Sequence, residues 1–157
     1  DTASAKVKYI NSDPSPMGGN YLNLYSKESA PDWYHFATGI NKSGLDDNVD
    51  RLPTYNPDSI YLNFYARGNQ EYKNTSLELV YQCKEKGIYT EHLNWEGWKL
   101  VSIPLSEFKV GGTAPLSSVE GLNYIAIQLG CQPLKDDEAQ YDIDFLLLTV
   151  GSPFLDE

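Results

Sequence analysis

The sequence predicts an all-β domain, a two-sheet antiparallel β-sandwich of jelly-roll type with at most one short helical turn. Three observations predict it. Aromatic residues are abundant, with 12 Tyr and 3 Trp against one Met and two Arg, which favours pleated, half-buried surfaces over long helices. Turn formers recur throughout, as 12 Gly and 9 Pro. Strand-length segments lie between these turn clusters at short intervals, the spacing of a sandwich. With 157 residues and no internal repeat or low-complexity linker, residues 1–157 are read as a single domain.

The expected strands are Ala5–Ile10, Tyr21–Tyr25, Trp33–Thr38, Ser59–Ala66, Ser76–Cys83, Trp98–Pro104, Leu122–Leu129 and Tyr141–Val150, with a shorter one over Ile88–His92. Gly18-Gly19 and Gly111-Gly112 mark turns that need positive φ. Pro115-Leu-Ser-Ser-Val-Glu120, followed by Gly121, is the one segment with the signals of a helical turn.

Charge narrows the partners. Twelve Lys plus Arg against 22 Asp plus Glu leave a net charge of −10, which disfavours nucleic acid and anionic membranes because both need a cationic footprint. No apolar run reaches the roughly 18 residues that a membrane-spanning helix requires. Cys83 and Cys131 lack a CxxC or a zinc-type His spacing, so buried thiols and a single disulfide both remain open.

Alternation within three strands carries the functional signal. Leu22 and Leu24 oppose Tyr21, Asn23 and Tyr25; Ile60, Leu62 and Phe64 oppose Tyr61, Asn63, Tyr65 and Arg67; Ile125, Ile127 and Leu129 oppose Tyr124 and Gln128. An ordinary solvent face carries Lys, Glu and Thr. A face of Tyr, Asn, Gln and Arg has the chemistry of sugar recognition: flat rings meet the C–H faces of a pyranose, and amides and guanidinium bond its hydroxyls. Tyrosines that pack under loops or across a second sheet would give the same pattern. Among the tryptophans, Trp95 in Asn94-Trp-Glu-Gly-Trp98 reads as an exposed loop platform and Trp98 as core. Trp33 fits a rim position or a core lid equally.

Three segments carry a resemblance. Trp98-Lys-Leu-Val-Ser-Ile-Pro-Leu-Ser-Glu-Phe108 is similar to the W-x-x-V-x-I-P-L-S-x-F segment of jelly-roll carbohydrate-binding modules, especially those of Bacteroidota surface glycan-binding lipoproteins. Gly19-Asn-Tyr-Leu-Asn-Leu24 resembles their G-x-Y-L-x-L strand, and Tyr141-Asp-Ile-Asp-Phe145 their closing strand. The resemblance implies a non-catalytic domain that holds a polysaccharide or oligosaccharide for an outer-membrane transporter in polysaccharide utilisation. It implies an extracellular or outer-membrane surface location, with a lipidated N-terminus that this chain does not include. It also implies a structural calcium, with Asp142 or Asp144 as ligand. It assigns no sugar-binding residues.

Other site chemistry is thin. Asp46-Asp-Asn-Val-Asp50 opens like a calcium loop, but Arg51 and Pro57 stand where an EF-hand needs Gly and Glu, so a solvated acidic turn is expected. His35 and His92 have no nucleophile or acid pattern beside them, and no GxSxG, HExxH or phosphate-binding glycine loop occurs. The reading that results is a non-catalytic glycan-binding domain using Tyr61, Asn63, Tyr65, Arg67, Tyr21, Asn23, Tyr25, Tyr124, Gln128, Trp95 and Trp33. Its acidity favours a neutral glycan over an anionic one. A protein-contacting structural or adhesion sandwich is the first alternative, and a small polysaccharide lyase or glycoside hydrolase the second.

Overall fold

The computed structural model describes residues 5–10, 16–18, 21–26, 34–68, 75–131 and 139–155, with side chains placed at 16–18, 21–23, 40–68, 77–127 and 142–155. Its strands are β1 (Ala5–Ile10), β2 (Tyr21–Ser26), β3 (Tyr34–Asn41), β4 (Ile60–Gly68), β5 (Thr75–Gln82), β6 (Lys86–His92), β7 (Gly97–Pro104), β8 (Lys109–Val110), β9 (Ala114–Pro115), β10 (Tyr124–Cys131) and β11 (Ala139–Val150). One sheet has the order β1-β2-β11-β4-β7 and the other β3-β10-β5-β6-β8-β9. All pairings are antiparallel. The expected jelly-roll sandwich is what the chain forms, and every expected strand is present with its ends shifted by three residues at most.

Alternation decides which face each strand buries. Ile60, Leu62, Phe64 and Ala66 of β4 are fully enclosed, as are Leu77, Leu79 and Tyr81 of β5, and Ile125 and Ile127 of β10 close the same core. Apolar burial of this kind, at roughly 25 cal/mol per Å², is the main stabilising term.

The segment 115–120 does not form the expected helical turn. Leu116 and Val119 are both buried, the Leu116 N–H donates to the Phe108 carbonyl, and Ser117 bonds the Glu85 carboxylate. The contacts to Phe108 and Glu85 take up backbone and side-chain groups of this segment, and residues 116–119 form neither helix nor strand. Only Gly121, at φ +77°, behaves as expected. The described helical turns are instead of 3₁₀ type, at Lys42–Gly44, Asp47–Thr54, Pro57–Ser59 and Leu105–Glu107. The acidic turn opens the longest of these, with Asp46 as its N-cap accepting from the Asn48 N–H at 2.8 Å.

One irregularity shapes the functional face. Between Asp144 and Leu147, β11 carries a bulge against β4, and Phe145 adopts φ +57°. The extra residue explains why Phe145-Leu-Leu-Leu148 shows no alternation in sequence. Beyond β11 the chain folds back: the Gly151 N–H donates to the Ser59 carbonyl, the Phe154 N–H to Asn63 Oδ1, and Phe145 packs on Phe154 at 5.3 Å.

The cysteine alternatives are resolved by register. Cys131 of β10 pairs with Thr75 at one end of β5, while Cys83 follows Gln82 at the other, so the two lie on the order of 25 Å apart at strand rise. A disulfide needs Cα atoms within about 7 Å. Cys83 is a buried free thiol that donates to the Glu85 carbonyl, and burial pushes its pKa up.

Tyr81 is less well served. Its ring is fully buried and its hydroxyl has no hydrogen-bond partner among the described residues, and burial pushes its pKa up. An orphaned buried hydroxyl costs about 1–3 kcal/mol of desolvation. Tyr81→Phe is therefore expected to stabilise the domain by about 1 kcal/mol, read as a higher urea midpoint at unchanged slope. A lower midpoint would mean that the hydroxyl finds a donor or acceptor in solution.

Candidate functional site

On the outer face of the five-stranded sheet, one row of side chains crosses four strands. Asn23 on β2 lies opposite Asp142 on β11, Asp142 opposite Arg67 on β4, and Arg67 opposite Trp98 on β7. Arg67 is the centre of the row. Its Nε donates to Asp142 Oδ2 at 2.8 Å and its Nη2 to the Tyr21 hydroxyl at 2.7 Å. The guanidinium carbon lies 4.8 Å from the centroid of the Trp98 ring and 5.2 Å from that of Tyr21. Those two rings meet edge to face at 5.3 Å and 83°. Asn23 Nδ2 donates to Asp142 Oδ1 at 2.7 Å, so both carboxylate oxygens have fixed partners.

Geometry and charge fit together here. A planar guanidinium stacks on aromatic faces while donating in its own plane, which lysine does not do. Each cation–π contact adds roughly 0.5–2 kcal/mol according to its exposure. Asp142 neutralises the cation locally. The side chain of Arg67 is 27% exposed and Trp98 is half-buried, so the row presents an aromatic surface and a guanidinium to solvent over a buried, immobile base.

The residues singled out in sequence fall into four groups. Tyr21, Asn23 and Arg67 belong to the row, and Tyr61 is half-buried on the same face. Asn63 and Tyr65 are on this face but 0% and 5% exposed. Asn63 Nδ2 donates to the Leu147 carbonyl and to Thr149 Oγ1, both at 3.0 Å, and its Oδ1 holds Phe154. It fastens the folded-back tail and presents no amide to a ligand. Tyr124 departs from the expected grouping: β10 lies between β3 and β5, so Tyr124 stands on the other sheet beside Gln82. Gln128 has its backbone on that same β10, with its side chain outside the described residues, as is the side chain of Tyr25 on β2. Trp33 lies outside the described residues altogether.

The two remaining tryptophans exchange the expected roles. Trp95 packs against the core, its Nε1 donates to the Ala66 carbonyl at 3.2 Å, and Lys99 covers its ring at 4.7 Å. Trp98 is on the outer face. The signal for this was present in the sequence: counting back by twos from buried Val101 and Ile103 places Lys99 inward and Trp98 outward. The adjoining apolar residues masked that parity.

Asp142 has neither oxygen free for a calcium ion, since Oδ1 accepts from Asn23 and Oδ2 from Arg67. A guanidinium already sits on Asp142, and among the described residues no three His, Cys, Asp or Glu side chains come together as a metal-binding group. Asp144 Oδ2 is buried without a hydrogen-bond partner among the described residues. His92 is exposed at the end of β6, and the side chain of His35 is outside the described residues. Among the described residues, no helix is long and apolar enough to cross a membrane.

No family model matches the chain, and no curated protein matches it in sequence. Its fold is shared by solved carbohydrate-binding modules. A family 30 module superposes with a TM-score of 0.65 at 10% identity, covering 98% of this chain and 81% of that one. The family 30 module of a cellulosomal cellulase from Clostridium thermocellum gives 0.62 at 9% identity, covering 96% and 88%. A family 27 module from Caldicellulosiruptor saccharolyticus, in complex with mannohexaose, gives 0.53 at 9%, covering 97% and 87%. Identities this low establish a common architecture.

Proposed function

We propose that this domain binds a polysaccharide or oligosaccharide without acting on it, and that the ligand lies against Trp98 and Arg67 on the outer face of the five-stranded sheet. The observation that carries the reading is the clamped row itself. An aromatic surface and a guanidinium are held in fixed geometry by Asp142, Tyr21 and Asn23 on a sandwich shared with carbohydrate-binding modules. A pyranose stacks through its C–H face on Trp98 while its hydroxyls bond the guanidinium. Because Asp142 balances Arg67 and the chain carries −10 overall, the preferred ligand is neutral. The surface location and the hand-over to an outer-membrane transporter belong to the same proposal and rest on the three short motifs that resemble the lipoprotein modules.

Native affinity electrophoresis through gels containing individual polysaccharides tests it. The wild-type domain is expected to be retarded by at least one neutral glycan, with no new reducing ends or unsaturated products after overnight incubation. Trp98→Ala should weaken that retardation at least tenfold, which corresponds to about 1.4 kcal/mol, and through its lost contacts with Arg67 and Tyr21 lower the melting temperature by a few degrees without unfolding the domain. Tyr65 is not a useful position for this purpose, since its burial makes truncation a folding defect. No retardation across the panel, or undiminished retardation of the Trp98 variant, overturns the placement.

A further inference from the structure

A second feature lies away from that row. β2 pairs with β11 only as far as Ile143, and from Leu147 to Val150 β11 is paired with β4 on one side. Among the described residues no strand occupies the other side. The gap toward β3 is bridged by the 3₁₀ segment Asp47–Thr54, which directs Leu52 and Val49 inward but cannot interdigitate as a strand would. A cleft of about 520 Å³ remains. Ile40 and Ile125 from one sheet and Leu146 and Leu148 from the other form its apolar floor.

The lip differs from the floor. Tyr55, 47% exposed, and Val150, 40% exposed, line its solvent-facing part. Beside them lie Asp46, Asn48 and Arg51. Arg51 has no ion pair among the described residues, whereas nearby Asp50 is held by Lys42. The charges of Arg51 and Asp46 offset each other across the rim. A rim with balanced charge, offering both donors and acceptors, suits hydroxyl groups better than it suits an anion or a cation. The volume is that of a small-molecule site, typically about 300–1,000 Å³ with a mainly apolar lining and a few polar groups.

We propose that this cleft is a second saccharide site, which takes a sugar carrying an apolar aryl or acyl substituent. The substituent lies on the floor formed by Ile125 and Leu148, the pyranose stacks on Tyr55, and its hydroxyls bond Arg51 and Asn48. The inference rests on the carbohydrate-binding reading for its ligand class but uses none of the residues of the Trp98 row.

Isothermal titration with 4-nitrophenyl β-glycosides of glucose, mannose, xylose and galactose, each paired with its methyl glycoside and with 4-nitrophenol alone, tests it. At least one aryl glycoside is expected to bind ten times more tightly than its methyl counterpart and than free nitrophenol. Tyr55→Ala and Arg51→Met, both at exposed positions, should each weaken it at least fivefold, while Lys109→Ala, exposed on β8 toward the opposite end of the six-stranded sheet from β3, leaves it unchanged. The proposal is overturned if aryl and methyl glycosides bind alike, if free nitrophenol binds as well as its glycosides, if neither cleft variant has an effect, or if no probe binds. Polysaccharide retardation with no aryl-glycoside binding would remove the cleft and leave the Trp98 site. Aryl-glycoside binding that depends on Tyr55, with no polysaccharide retardation, would do the reverse.

Discussion

Gly68→Ala is expected to destabilise the domain by about 3 kcal/mol, although it adds a single methyl group. A Cβ at position 68 would stand 2.1 Å from the Trp95 carbonyl oxygen, 3.0 Å from its carbonyl carbon and 3.1 Å from Cδ1 of its ring. Two of these are backbone atoms, so no rotamer change relieves the clash. Gly68 closes β4 opposite Gly97, and the Trp95 turn is laid directly on the strand end with its Nε1 bonded to the Ala66 carbonyl. Admitting the methyl group means lifting that turn. Overpacking costs about 1–3 kcal/mol, and the lost hydrogen bond adds about 1 more. Thermal unfolding should show a fall of roughly 10 °C at this chain length. Gly97→Ala is the informative comparison. Its Cβ would meet nothing within 4 Å, but its φ of +82° penalises any side chain, so about 1–2 kcal/mol is expected. A Gly68 variant no worse than the Gly97 variant would show that the turn yields more easily than this packing implies.

Asp142→Ala should cost a similar amount, about 2–3 kcal/mol, for electrostatic reasons. Breaking a fully buried ion pair costs about 3–5 kcal/mol, since the surviving charge is left without a partner. Here the carboxylate is buried but Arg67 is 27% exposed, and solvent recovers part of the loss. Asn23 also loses its acceptor. Asp142→Asn preserves shape yet sets an amide N–H against either Asn23 or Arg67, both donors, so an intermediate loss of about 1–2 kcal/mol is expected. Arg67→Met combined with Asp142→Ala should be less damaging than the two single changes added together, as a double-mutant cycle by denaturant unfolding would show. Strict additivity would mean that the pair is not coupled in solution.

Much of this structure was legible in the sequence, for a physical reason. Period-two alternation sets which face of a strand is buried, so β4 and β2 could be read residue by residue. Topology is another matter. Nothing in the Tyr124–Gln128 segment says that its strand sits between β3 and β5 and not beside β4, so one expected face became two. Asn63 looked like a sugar-facing amide because its role depends on Phe154, 91 residues away. The Trp98–Arg67 stack was half legible: the parity was there, but the Leu-Val-x-Ile-x-Leu setting favoured a core position. Nothing in the sequence marks Tyr55. It sits in a 3₁₀-rich stretch with no strand period.

The six-stranded sheet ends on β8 and β9, two residues each, joined through Gly111-Gly112 and finished by exposed Pro115. Proline has no N–H to offer, and a two-residue edge gives an incoming strand almost nothing to register against. A long polymer with many equivalent sites would gather copies of this domain side by side at high local concentration. Crowding of that kind drives open sheet edges toward fibrous association. For a domain bound to a polysaccharide as proposed, β8 and β9 would offer a neighbouring copy almost nothing to pair with.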